Sequence, residues 1–125
     1  MSNFEHSTLV SDLKKSSKEI INELKPEQAD ALHMAVGIAG EAGELLDAIK
    51  KWSIYQKPLD LENVIEELGD LEFYMEGLRQ SLNLTRVQTL VENIAKLQKR
   101  YSKGEYTNDQ ANERADKEMR VVQQD

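Results

Sequence analysis

The chain has 125 residues, enough for one domain with a modest core. Its formal net charge of −7 argues against non-specific nucleic-acid binding, which needs a basic surface. It has no cysteine, so disulfides and thiolate metal sites are excluded.

No segment approaches the roughly 18 to 20 consecutive apolar residues that cross a bilayer. The opening MSNFEHSTLV lacks the basic stretch and apolar run of a signal peptide. The expectation is a cytoplasmic protein with neither membrane nor nucleic acid as partner.

Hydrophobic periodicity predicts four main helices and a short fifth, and no strand pattern competes. The first covers about residues 4 to 24, with Val10, Leu13, Ile20, Ile21 and Leu24 as its apolar face. Pro26 suits the first turn of the second helix, which runs to about Trp52. The loop SIYQKPLD follows, and Asp60 is a candidate N-cap for a third helix over about 61–82. Thr85-Arg86-Val87-Gln88 reads as a capping box opening the fourth helix. Val87, Leu90, Val91, Ile94, Leu97 and Tyr101 line one side of it, and Gly104 ends it. Thr107-Asn108-Asp109-Gln110 repeats the capping pattern before a short polar helix. Residues after about Glu118 read as a weakly ordered tail. The predicted fold is all-α, an antiparallel four-helix-bundle-like domain with a short C-terminal helix, occupying 1–125 with its core at about 4–115.

Two acidic motifs stand out. Glu41 and Glu44 lie three residues apart in the second helix, and Glu67 and Asp70 do the same in the third. Residues three apart are neighbours on one helical face. In both helices the acids interrupt an apolar stripe: Met34, Ile38, Glu41, Leu45 and Ala48 in one, Val64, Glu67, Leu71, Tyr74 and Leu78 in the other. Inward-facing carboxylates are costly unless compensated. Four converging carboxylates suit hard cations such as Mg2+ or Mn2+. Glu66 is either a further ligand or an exposed neighbour. A di-iron site would call for Glu-x-x-His pairs, and neither motif contains histidine. His33, eight residues before Glu41, fits a partly buried structural role or a substrate contact.

Gly37, Gly40 and Gly43 share the second helix with the first motif, and fit close helix packing or room beside the acids. Asn93, Lys96 and Arg100 share one face of the fourth helix, with Lys99 and Lys103 nearby. That face is either solvated or suited to phosphate oxygens. Trp52 and Tyr55 fit either a structural role or stacking on a nucleobase.

These segments resemble the MazG-like members of the all-α NTP pyrophosphohydrolase superfamily. GIAGEAGELLDAIKK is similar to that family's first acidic motif, VIEELGDLEFY to its second, and NIAKLQKRYSKGEY to the segment that follows. KKWSIYQKPLDLENV also resembles single-domain members, including phage-encoded ones, for which the location would be the host cytoplasm. Ser102 departs from the proline often found after Arg-Tyr. The resemblance implies Mg2+-dependent hydrolysis of nucleoside triphosphates to monophosphate and pyrophosphate, with Mn2+ as a substitute cation. By motif matching, Glu41, Glu44, Glu67 and Asp70 would be metal ligands, and Glu41 or Glu44 the general base. Asn93, Lys96 and Arg100 would face the phosphates. His33, Trp52 and Tyr55 are the candidates for the base, with a lean toward purine substrates such as dGTP. The resemblance also implies a homotetramer built as a dimer of dimers. The rival reading is a non-enzymatic helical interaction or nucleotide-sensing module, whose acidic face would meet solvent or a basic partner.

Overall fold

The computed structural model describes residues 2–114 and 116–117, and for residues 2–4 the backbone alone. Among these, six helices and no strand are found: α1 (Ser2–Leu13), α2 (Ser17–Glu23), α3 (Pro26–Ser53), α4 (Leu61–Ser81), α5 (Arg86–Arg100) and α6 (Asn108–Glu113). The protein is all-α. No helix among the described residues is long and apolar enough to cross a membrane. The expected weakly ordered tail after Glu118 lies outside the described residues.

One helix boundary differs from expectation. The helix predicted over 4–24 is interrupted and becomes α1 and α2. The Ser16 hydroxyl accepts from the N–H groups of Lys18 and Glu19, at 3.2 and 3.5 Å, and so N-caps a new helix. A serine that bonds local backbone offers the chain an alternative to continuous helix, and here it outweighs the apolar periodicity.

The other helix starts follow their caps. Asp60 Oδ1 accepts from the Asn63 N–H at 3.1 Å and opens α4. At α5 the Thr85 hydroxyl accepts from the Gln88 N–H at 3.1 Å, while Gln88 Oε1 accepts from the Thr85 N–H at 2.7 Å. This reciprocal box satisfies two donors that a helix start leaves unpaired. Thr107 caps α6 through the Gln110 N–H at 3.1 Å. Asn83, at φ 57°, turns the chain after α4, and Gly104, at φ 76°, turns it after α5.

The described residues form two compact units, one up to Leu78 and one from Arg79. In the first, α3 and α4 run antiparallel. Met34 packs on Gly77 and Tyr74 packs on Gly37, so position numbers fall along one helix as they rise along the other. A Cβ on Gly37 would overlap the Tyr74 ring, and one on Gly77 would overlap the Met34 sulfur. Those two glycines therefore set how closely the helices approach. Gly40 and Gly43 meet nothing within 4 Å and have no such packing role. His33 meets Tyr74 edge-on, with ring centroids 6.5 Å apart.

In the second unit α6 packs against α5, and Tyr101 and Tyr106 lie 5.4 Å apart between ring centroids. Most of the apolar side of α5 is exposed, Val87 at 68%, whereas Tyr101 is half-buried. Ala48 is the one buried apolar residue among those described.

Candidate metal centre

The antiparallel pairing of α3 and α4 continues one turn beyond Gly37 and Tyr74, and there it brings the acidic motifs together. Carboxylate oxygens of Glu41, Glu67 and Asp70 all lie within 4.8 Å of one another. Glu44, one turn along α3, sits close enough to hydrogen-bond with Glu67. Glu67 is only 6% exposed, and Glu41 is half-buried. Glu66 is exposed and stands apart from the trio.

The electrostatics follow from the crowding. A hydrogen bond shared with Glu41, burial, and a further hydrogen bond with Glu44 push Glu67 up to about 8. Like charges this close disfavour joint ionisation. Asp47, on the same helix, shows the contrast. Its hydrogen bond with Lys51, 2.9 Å away, holds it below the usual carboxylate range.

Two buried oxygens in the cluster, Glu41 Oε2 and Glu67 Oε2, have no hydrogen-bond partner. Such atoms are rare in folded proteins unless something else satisfies them. Carboxylate oxygens from three side chains, with unpaired buried lone pairs, suit a hard divalent cation. The residues present therefore fit the metal that the resemblance implies. Within the trio the donors are all carboxylates, as hard cations prefer and di-iron bundles with Glu-x-x-His pairs do not.

The remaining candidates lie elsewhere. His33 is exposed at the α3–α4 seam, two turns before Glu41. Trp52 lies in the last turn of α3 and Tyr55 just beyond it, both exposed, with Lys50 Nζ 5.6 Å from the Tyr55 ring centre. Trp52 is eleven residues past Glu41, about 16 Å along the helix axis, so it is no part of the acidic cluster.

On α5, Asn93 is exposed and Lys96 half-buried. Arg100 is already engaged: its Nε and Nη2 donate to Asp116 Oδ1 at 3.2 and 3.1 Å. Burial opposes both charges, but the pair outweighs it. The guanidinium sits above its ordinary value, helped by the Tyr101 hydroxyl, and the Asp116 carboxyl sits below its own. Sequence reasoning missed Asp116, because sixteen residues and a turn separate it from Arg100 and no helical spacing links them.

A search against protein families matches residues 30–104 to the MazG nucleotide pyrophosphohydrolase domain. The match spans both acidic motifs and all of α5, and stops short of Asp116. Neither the curated proteins nor the solved structures provide a match to this chain. With three-fifths of the chain matched and the family's two acidic motifs converging across α3 and α4, the chain belongs to the MazG nucleotide pyrophosphohydrolase family and is a nucleotide pyrophosphohydrolase.

Proposed function

We propose that the protein is a single-domain, cytoplasmic enzyme that converts nucleoside triphosphates to monophosphates and pyrophosphate, with Mg2+ as its cation and Mn2+ as a substitute. The observation that carries this reading is the convergence of Glu41, Glu67 and Asp70 within 4.8 Å, with two buried carboxylate oxygens left without partners. Glu41, Glu44, Glu67 and Asp70 would hold the metal. Bound there, it supplies charge neutralisation and Lewis acidity to the triphosphate.

The chain's own groups do the rest. Glu44 stands outside the closest trio and takes the proton of the attacking water at its carboxylate. The water oxygen bonds to the α-phosphorus, the bridging bond to the β-phosphate breaks, and pyrophosphate leaves with the electron pair. Lys96 and Arg100 bind phosphate oxygens as cationic donors, and Asn93 adds a neutral hydrogen bond. His33, Trp52 and Tyr55 select the base. Aromatic stacking favours the larger purine face, so dGTP is the first substrate to assay.

The test is pyrophosphate release from dGTP, dATP, dCTP, dTTP and dUTP, with and without Mg2+ or Mn2+. Cation-dependent release is expected, fastest with dGTP. Equal release in the presence of a chelator would remove the metal from the reading. A pyrimidine preference would overturn the choice of base alone. Repeating the panel with Trp52→Ala should change the base ranking if Trp52 selects.

A further inference from the structure

Arg100 and Asp116 form a buried ion pair in the second unit, and the Arg100 and Asp116 side chains are 16% and 5% exposed. Both Nε and Nη2 of Arg100 donate to the same oxygen, Asp116 Oδ1. The second oxygen, Oδ2, is buried without a partner. A pair selected for stability alone is poorly served by this arrangement. Buried ion pairs stabilise little, and an unpaired buried oxygen adds a cost. What the geometry does provide is orientation. A guanidinium held along its Nε–Nη2 edge has a fixed plane, and its opposite edge, carrying Nη1, points away from Asp116. Arginine side chains otherwise sample many rotamers, and ordering one before an anion arrives reduces the cost of capture.

We propose that Asp116 is a positioning residue that holds the Arg100 guanidinium plane ready for a phosphate group of the nucleotide substrate. This rests on the reading above that Arg100 binds phosphate. Asp116 lies past the matched residues 30–104, so the orienting contact comes from chain that the motif of α5 does not include.

The experiment is steady-state pyrophosphate release by the full chain carrying Arg100→Ala, Asp116→Ala, Asp116→Glu or both alanines, with thermal melting alongside. Arg100→Ala should raise KM by about tenfold or more. Asp116→Ala should raise KM by about fivefold, with kcat within about twofold of the parent. Asp116→Glu, which keeps the carboxylate, should recover most of that loss. In the double variant the second substitution should add nothing, because its effect passes through Arg100. If Asp116→Ala does not fold, the isosteric Asp116→Asn replaces it in every arm.

Three results would overturn the proposal. An unchanged KM would show that Arg100 needs no orienter. A lowered KM would show Asp116 competing with phosphate for the guanidinium. Multiplied losses in the double variant would show Asp116 acting through the fold. An unchanged KM in Arg100→Ala would defeat the phosphate reading of Arg100 itself, and that result is separate from any Asp116 arm.

Discussion

Glu67 concentrates the conflict between folding and function in this protein. In water its carboxyl would ionise near 4.5, yet beside Glu41, in a buried position and next to Glu44 it does so near 8. The native state therefore holds a proton between those two values that the unfolded chain has released. Stability of the metal-free protein should fall as pH rises from about 5 to 8 and level off above the folded value. Glu67→Gln, which cannot ionise, should flatten this dependence and raise the melting temperature at pH 8. Thermal melts in chelator across that range check both, and a parent melting curve that does not shift between pH 5 and 8 contradicts the assignment. The same substitution, like Glu41→Gln, Glu44→Gln and Asp70→Asn, should remove most activity while leaving the helical circular dichroism signal intact. Near-parental turnover in two of the four at saturating metal would dissolve the proposed ligand set. Lys96→Ala should weaken substrate use more than metal binding, which calorimetry set beside kinetics would separate.

Among the helices, the glycines of α3 divide into two classes that their spacing alone could not separate. Gly37 lies against the Tyr74 ring, whereas Gly40 and Gly43 face open space. Gly37→Ala gains helix propensity but overlaps an aromatic ring, and overpacking costs typically about 1–3 kcal/mol. Gly40→Ala keeps only the gain, up to about 1 kcal/mol. Urea denaturation should show the two variants shifting in opposite directions. A stabilised Gly37→Ala would mean that the Tyr74 contact is loose. At α5, Thr85→Ala removes the hydroxyl half of a reciprocal cap and should cost about 1 kcal/mol. The broken first helix teaches the same lesson. Its apolar positions resume at Ile20 after Leu13, but the polar run between them holds Ser16, whose hydroxyl caps a new helix.

At the scale of the molecule, the dominant fact among the described residues is how much apolar surface is exposed. Leu46 and Phe73 are 67% and 66% exposed, and on α5 Val87, Leu90, Val91, Ile94 and Leu97 are exposed as well. Exposed apolar surface on this scale favours association, and closed symmetric assemblies are the common solution. We expect a homotetramer, a dimer of dimers. Light scattering on an active sample should give four times the chain mass, and a strictly monomeric active sample would refute it. What the sequence determined by itself is local and periodic. Helix positions follow from apolar spacing, helix starts from Asp60, Thr85 and Thr107, and the acidic pairs from three-residue spacing on a helical face. These depend on neighbours within one turn, which the chain order states directly. Only the tertiary structure decided that Glu41 meets Glu67 and Asp70, that Glu67 keeps a proton near neutrality, that Gly37 and not Gly40 carries packing, and that Asp116 holds Arg100. Each is a contact between elements, and its energy depends on distance and burial across space, which spacing along a chain does not encode.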